Sequence, residues 1–289
     1  MKTLGFYNGE IGEIDDMRIP MNDRSSWFGD GVYDAAVAVN GIIFALDEHI
    51  DRFFRSASFL EMTVPKSKDE LAELLAAFVK RVEGKAHFVY WQITRGTADR
   101  SHVFPENAVA NLWVTVKPLV MPDLYAKVKL ITLEDTRFLH CNIKTLNLIP
   151  NVMASEKAKR AGAKEAVLHR GERVTECAHS NVHIFRDGVL RTAPADNLIL
   201  PGISRAHIIR RCAALGIPVE ERAFTLAELM AADEVMISSC SSLCIAADYI
   251  DGVPVGHRAP ALLGKLQDSL WEEFCEVTGS RRQAAGRAD

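Results

Sequence analysis

Pairs of turn-forming residues divide the chain into short strands, and this punctuation limits the fold more than any other feature. Asn8-Gly9, Asn40-Gly41 and Asp187-Gly188 each follow or separate apolar runs. Such pairs favour the tight turns of β-hairpins. The pattern predicts mostly antiparallel strands. Hairpins are expected at 4–15 and 32–46, and strands at 87–95, 110–118, 127–134, 165–170, 173–176, 181–186 and on both sides of the serine-rich turn 238–242.

Helix signals alternate with these strands. Ser67 with Glu70, and Thr225 with Glu228, have the spacing of a capping box. Asp47 is expected to cap the helix that follows it. Further helices are expected at 151–161, 201–216 and 262–277, and the tail from 280 to 289 is expected to be frayed.

Prolines at 118 and 122 flank a segment, residues 119–126, that lacks a helix or strand pattern. We interpret it as a linker. The sequence therefore predicts an α+β protein with two helix-covered sheets: a small α/β domain at 1–118 and a larger domain at 127–289.

Composition excludes several classes of protein. The net charge is −4 and the basic residues are scattered, so nucleic-acid binding is not expected. No window approaches the roughly 20 apolar residues of a membrane span, and the N-terminus has no apolar signal core. The six cysteines form no C-x-x-C pair, so we expect no metal site and a reduced, cytoplasmic protein.

Lys144 stands among Ile143, Leu146 and Leu148 in the stretch CNIKTLNLIPN. A strand-end lysine whose stem lies on apolar neighbours is the common interpretation of such a pattern. A Schiff-base lysine is the alternative, because burial lowers the pKa of a lysine and leaves the neutral amine that attacks aldehydes. An aldehyde cofactor would also need a phosphate anchor and a partner for its ring nitrogen.

Candidates exist for both. LPGIS, residues 200–204, runs into a helix whose free N–H groups and Ser204 hydroxyl suit an anion, although a plain turn with a serine cap would look the same. The serine-rich turn 238–242 is a second cluster of donors. Glu176 lies on a strand and is either a solvated edge charge or the partner of a protonated nitrogen.

Arg100 and His102 point to a substrate site in TRGTADRSHVFPEN. In extended backbone, residues i and i+2 project to the same side. A guanidinium beside an imidazole can bind a carboxylate. A polar surface loop is the alternative.

Together these segments resemble fold-type IV pyridoxal-phosphate enzymes, and closely the D-amino acid aminotransferases. DRSSWFGDGVYD, DEHIDRFFRSA, QITRGTADRSHVFPEN, CNIKTLNLIPNVMA, EAVLHRGERVTECAHSN and LPGISR carry the resemblance by their order and spacing over nearly the whole chain. The resemblance implies that Lys144 binds pyridoxal 5'-phosphate covalently and that Glu176 faces its pyridine nitrogen. It further implies that Arg52, Ile203, Ser204, Ser239 and Cys240 surround its phosphate, and that Tyr33, Arg100 and His102 bind the substrate carboxylate.

The resemblance also implies a reaction. D-amino acids would exchange their amino group with 2-oxo acids, for example D-alanine and 2-oxoglutarate giving pyruvate and D-glutamate, in a homodimer with the cofactor in the interdomain cleft. An L-branched-chain aminotransferase, an aminodeoxychorismate lyase-like enzyme and a non-enzymatic binding protein with a decayed site are the alternatives. His179 and Leu243 depart from the family pattern, which leaves the preferred side chain open.

Overall fold

The computed structural model describes residues 1–280, which form two compact units. The first unit contains residues 1–121, 143–147 and 276–280, and the second contains 122–142 and 148–275. Residues 143–147 and 276–280 therefore belong to the first unit although they follow the predicted linker, and the domain boundary near 119–126 stays a prediction. Lys144 belongs to the first unit.

The sheet of the first unit is antiparallel throughout. Asn8 and Gly9 have φ of 47° and 106°, and Asn40 and Gly41 have φ of 53° and 81°, which is the left-handed backbone expected of hairpin turns. The predicted hairpins are confirmed, although the second strand of the second hairpin is short. The strands are β1 Leu4–Tyr7, β2 Glu10–Gly12, β3 Gly31–Val39, β4 Ile42–Ile43, β5 Ala86–Thr94 and β6 Asn111–Pro118, in the order β2-β1-β6-β5-β3-β4.

Three helices belong to this unit: α1 Arg24–Phe28, α2 Leu46–Phe59 and α3 Lys68–Val79. The Ser67–Glu70 capping box is present and starts α3. The prediction that Asp47 caps α2 is wrong, because the cap is Ala45 with φ of 53° and Asp47 lies in the first turn. There its charge still faces the positive end of the helix dipole. Phe53 of α2 packs with Trp91 of β5 in the apolar core.

The second unit contains a mixed sheet of nine strands. β7 pairs in parallel with β8 and β14, and β11 with β12, whereas the remaining pairs are antiparallel. The short strands β11 and β12 were not predicted. The strands are β7 Val128–Glu134, β8 Glu165–Arg170, β9 Arg173–Cys177, β10 Asn181–Arg186, β11 Val189–Thr192, β12 Val219–Glu221, β13 Glu234–Ser238, β14 Ile245–Ile250 and β15 Val253–Pro254.

The remaining helices are α4 Ile149–Arg160, α5 Ile203–Ala214, α6 Leu226–Met230 and α7 Pro260–Thr278. The capping box of Thr225 with Glu228 starts α6 as predicted. No helix within residues 1–280 has both the length and the apolar character to cross a membrane. All but the first residue of the tail that we expected to be frayed lies outside the described residues.

Candidate active site

Lys144 lies in an extended segment that pairs with the start of β3. Its carbonyl accepts a hydrogen bond from the Tyr33 amide at 2.9 Å, and the Leu146 amide donates to the Gly31 carbonyl at 3.0 Å. The Lys144 amide also donates to the Ser56 hydroxyl at 3.2 Å. The backbone is therefore fixed on both sides of the lysine, which determines where its side chain starts.

The Lys144 amine lies over an aromatic ring. Its Nζ is 4.4 Å from the centroid of the Tyr33 ring, and the residue is half-buried. Tyr33 in turn stacks on Tyr90 at 5.4 Å, and the Tyr90 hydroxyl donates to Gln92 Oε1 at 2.6 Å. Burial, and after it the neighbouring Tyr33, raise the pKa of Tyr90 well above its ordinary value, so Tyr90 is a neutral phenol. The structure thus brings Lys144 and Tyr33 together.

Arg52 is buried on α2 and binds Asp34 of β3. Its Nε donates to Asp34 Oδ2 at 2.9 Å and its Nη2 donates to Asp34 Oδ1 at 2.7 Å. His49 Nδ1 lies 2.8 Å from the same Asp34 Oδ1. Such a two-point bond fixes the plane of the guanidinium. Sequence reasoning missed Asp34 and His49, although a lone acid in the apolar strand VYDAAVAV was a usable signal.

The charges in this cluster are well defined. Burial alone raises the pKa of Asp34, but Arg52 and His49 outweigh it and hold that pKa below its usual range. Burial lowers the pKa of His49, and Asp34 opposes this only in part. A neutral His49 beside an ionised carboxylate must carry its proton on Nδ1 and donate it to Asp34. The buried carboxylate of Asp34 therefore fixes the Arg52 side chain.

Arg100 and His102 are both exposed and both lie against Phe28. The Arg100 Cζ is 5.3 Å from the centroid of the Phe28 ring, and the His102 ring centroid is 5.1 Å from it. No strand forms over residues 98–102, so they share a ring rather than the face of a strand. The structure brings together the two residues that were predicted to bind a carboxylate.

In the second unit, Glu176 is buried at the end of β9 and accepts hydrogen bonds on both oxygens. Arg137 Nη1 donates to Oε1 in a short ion pair. The Asn181 side-chain amide and the Leu200 backbone amide each donate to Oε2 at 3.0 Å. A carboxyl group that accepts on both oxygens is present as the carboxylate. Glu176 is therefore a buried partner and not a solvated edge charge.

Arg137 joins Glu176 to a second buried acid. Its Nε and Nη2 donate to the two oxygens of Asp135, each at 2.9 Å. Burial alone lowers the pKa of Arg137, but Asp135 and Glu176 raise it above its ordinary value. For Asp135, burial raises the pKa, but the bonds and charge of Arg137 outweigh burial and leave the pKa below its ordinary value. Sequence reasoning missed this arginine, which is 39 positions from Glu176.

The N-terminus of α5 is the candidate anion site. Its N-cap is Gly202, which brings no side chain to the first-turn N–H groups. A Cβ at Gly202 would lie 2.0 Å from Asn181 Oδ1, so any larger residue here would force Asn181 to move. The Ser204 hydroxyl donates to the Ser239 carbonyl at 2.8 Å, which joins α5 to the serine-rich turn that also contains the half-buried Cys240. The structure thus brings together all four residues predicted on this side: Ile203, Ser204, Ser239 and Cys240.

The two departures from the family pattern have different environments. His179 has a side chain that is 55% exposed, and its amide donates to the fully buried Glu165 at 2.6 Å. Leu243 is buried and has φ of 45°, and its amide donates to the Ser239 carbonyl at 2.9 Å. His179 adds an exposed imidazole, whereas Leu243 helps to close the serine-rich turn.

These residues fit the chemical groups of pyridoxal phosphate. An aldehyde needs a primary amine, which Lys144 provides in the first unit. A phosphate binds to cations and to free N–H groups: Arg52 is such a cation in the first unit, and the α5 N-terminus offers such N–H groups in the second. A pyridine nitrogen needs an acceptor, and Glu176 is an anion held in place by three donors.

Comparison with known proteins gives the class. Residues 31–249 match the family model described as amino-transferase class IV. The chain belongs to the class IV aminotransferases and is a pyridoxal-phosphate-dependent transferase. This result confirms the α+β fold of the fold-type IV enzymes and the cofactor that the sequence indicated.

Three relatives by sequence are D-alanine aminotransferases. A D-alanine aminotransferase of Listeria monocytogenes serotype 4b is 42% identical over 286 residues, covering 96% of this chain and 98% of that protein. Those of Staphylococcus aureus strain MSSA476 and Bacillus licheniformis are 40% and 38% identical, over 94% and 96% of this chain and 97% and 100% of theirs.

Solved structures share the fold at lower identity. A branched-chain amino acid aminotransferase of T.th. with pyridoxamine 5'-phosphate has a TM-score of 0.87 at 26% identity. The branched-chain aminotransferase of Thermoproteus uzoniensis with norvaline has a TM-score of 0.84 at 23% identity. Each comparison covers 96% of this chain and 95% of the other.

Proposed function

We propose that this protein transfers the amino group of D-amino acids to 2-oxo acids, with D-alanine and 2-oxoglutarate giving pyruvate and D-glutamate. The observation that carries the proposal is identity of about 40% to D-alanine aminotransferases along nearly the whole chain. The branched-chain enzymes with the same fold are only 22–26% identical.

Lys144 is the residue that holds the cofactor and moves the proton. When bound, pyridoxal phosphate supplies an aldehyde that takes up the amino group and a ring that withdraws electrons from the substrate Cα. Lys144 Nζ would accept the proton from the substrate Cα and would return a proton from the same side. Its place over Tyr33, 4.4 Å from the ring centroid, restricts the directions from which it can act.

Glu176 and the α5 N-terminus are the cofactor-binding residues of the second unit. An ionised Glu176 keeps the pyridine nitrogen protonated, and Arg137 with Asn181 keeps Glu176 in place. The first-turn amides at Ile203 and Ser204, with Ser239 and Cys240, bind the phosphate. Arg52, held by Asp34, is the phosphate-binding cation of the first unit.

Arg100, His102 and Tyr33 bind the substrate carboxylate. The Lys144 amine would lie on one face of the cofactor ring. The side of the site on which the substrate carboxylate is bound therefore decides which enantiomer directs its Cα–H to that amine. Arg100 and His102 lie on one ring, that of Phe28, which supports a joint role. This arrangement is the physical basis for choosing the D-enantiomer.

An absorbance scan of the purified holoenzyme tests the proposal. D-alanine should bleach the band of the lysine-bound cofactor, and L-alanine should leave it unchanged at the same concentration. Bleaching by the L-isomer alone would overturn the stereochemical assignment. Faster transfer from L-leucine than from D-alanine would favour a branched-chain enzyme, and pyruvate release without an acceptor would favour a lyase.

A homodimer in the cytoplasm completes the proposal. Three apolar residues of α4, Ile149, Val152 and Met153, are 75%, 58% and 56% exposed, which supports self-association. All six cysteines are free thiols, which supports a reducing compartment. Analytical ultracentrifugation at micromolar concentration should give about twice the 32.0 kDa chain mass, and a monomer would contradict the assembly.

A further inference from the structure

A buried arginine binds the backbone between Arg100 and His102. Arg24 is 3% exposed, and its Nη1 donates to the Ser101 carbonyl at 2.8 Å. Ser101 is the residue between the two side chains assigned to the substrate carboxylate. The same Nη1 lies 3.4 Å from the Val103 carbonyl. Arg24 thus fixes the backbone at the centre of this pair.

Asp30 fixes Arg24 and a second arginine. Arg24 Nε donates to Asp30 Oδ2 at 2.7 Å, and Arg95 Nε lies 3.0 Å from the same oxygen. Arg95 Nη2 donates to the Leu60 carbonyl at 2.7 Å, and its Cζ lies 3.6 Å from the centroid of the Phe104 ring. One partly buried carboxylate therefore orients two guanidinium groups that touch the segment on either side of His102.

The Phe28 ring lies against Arg24 and also against the exposed side chains of Arg100 and His102. Arg24 Cζ lies 5.0 Å from the centroid of the Phe28 ring, and Arg100 Cζ and His102 lie against the same ring at 5.3 and 5.1 Å. A guanidinium at this distance from an aromatic ring is attracted to it. Backbone and side chains of the 100–102 segment are therefore positioned by one cluster within the first unit.

We propose that Arg24 and Asp30 are positioning residues that set the affinity for the substrate carboxylate. The inference rests on the proposed function, in which Arg100 and His102 bind that carboxylate. Arg24 acts through the Ser101 carbonyl and does not touch substrate. Its planar fork matters more than its charge, because Nε and Nη1 reach Asp30 and Ser101 at the same time.

The variant Arg24→Lys keeps the positive charge and removes the planar guanidinium group that reaches both partners. We expect the KM for D-alanine to rise about tenfold, the loss of one charged hydrogen bond, with kcat changed less than about twofold. Arg18→Lys is the control, because Arg18 also donates to backbone carbonyls but is exposed and lies outside this cluster. It should leave both constants unchanged. An unchanged KM in Arg24→Lys, or a loss confined to kcat, would overturn the proposal.

Two further measurements separate this proposal from the proposed function and from misfolding. Arg100→Ala should raise the KM for D-alanine; if it does not, the carboxylate assignment itself fails. If only Arg24→Lys has no effect, the positioning role fails alone. Hydrogen exchange of the peptide 97–107 should quicken in Arg24→Lys while that of β5 stays unchanged. Equal quickening in both would show general destabilisation and overturn the specific role.

The conservative change Asp30→Asn provides a second test if Arg24→Lys does not fold. It leaves both arginines in the chain and removes the charge that orients them. Binding of propionate, a carboxylate without an amino group, should weaken about tenfold by titration calorimetry of the holoenzyme. Binding at the original affinity would contradict the inference.

Discussion

Replacing Arg137 with methionine removes the cation that donates to both Asp135 and Glu176. Both acids are buried, with side chains that are 0% and 7% exposed. The arginine also donates to the Leu198 carbonyl at 3.0 Å. Methionine has a similar reach but no donor, so the two carboxylates would remain buried without their shared partner.

The size of the loss follows from the partners that stay. Removing one member of a buried ion pair costs about 3–5 kcal/mol. Asp135 keeps the Thr175 hydroxyl at 3.0 Å and Arg170 at 3.2 Å, and Glu176 keeps two amide donors. These bonds lessen the penalty, so we expect the free energy of unfolding to fall by about 3 kcal/mol at pH 7.

The loss should depend on pH. Arg137 keeps the folded-state pKa of Asp135 below its unfolded value, so the stability that this pair provides is present above the unfolded pKa and is lost as pH falls through the folded one. Without Arg137, burial dominates and the folded pKa of Asp135 rises. In the variant, protonation of Asp135 at lower pH removes the cost of burying its charge. The difference in the free energy of unfolding between the variant and the parent should therefore shrink as the solution is acidified.

Urea unfolding of the apo proteins, followed by circular dichroism at neutral and at mildly acidic pH, measures this difference. Arg160→Met is the control in the same unit, because its pair with Glu156 is exposed and should contribute under about 0.5 kcal/mol. A loss of stability in Arg137→Met no larger than that in the control, or a loss that grows as the pH is lowered, would rule out this role for Arg137.

Two other changes probe the residues proposed to bind the cofactor. Asp34→Asn removes the anion that fixes Arg52, so pyridoxal phosphate should bind about tenfold more weakly while pyridoxal, which lacks the phosphate, binds as before; fluorescence titration of apoenzyme measures both, and equal losses would contradict the role. Gly202→Ala places a Cβ 2.0 Å from Asn181 Oδ1, so the free energy of unfolding should fall by about 1–3 kcal/mol; an unchanged urea midpoint would show that the turn yields without cost.

Local features of the fold were predictable because few neighbouring residues determine them. The Asn8-Gly9 and Asn40-Gly41 turns and the Ser67 capping box follow from backbone preference and from hydrogen bonds spanning three residues. The cap at Ala45 was not predictable, because a left-handed alanine is uncommon and its neighbour Asp47 is a better capping residue by type.

Long-range partners were not predictable from pattern. Arg137 and Glu176 are 39 positions apart, and Arg24 and Ser101 are 77 apart. Their pairing depends on how strands are ordered in the sheets, which hydrophobic periodicity does not encode. The family resemblance predicted the site residues, and the structure added the side chains that contact them, the adjacent backbone or one another: Asp34, His49, Arg24, Asp30 and Arg137.

Every role proposed for this site depends on Lys144 being the amine that carries the cofactor. Reduction of the holoenzyme with borohydride, digestion and peptide mass spectrometry test it directly. We expect one phosphopyridoxyl group per chain, on the peptide that contains Lys144, and none in Lys144→Ala. A modified peptide that carries Lys127 or Lys164 instead, or the absence of any adduct in the yellow protein, would contradict it.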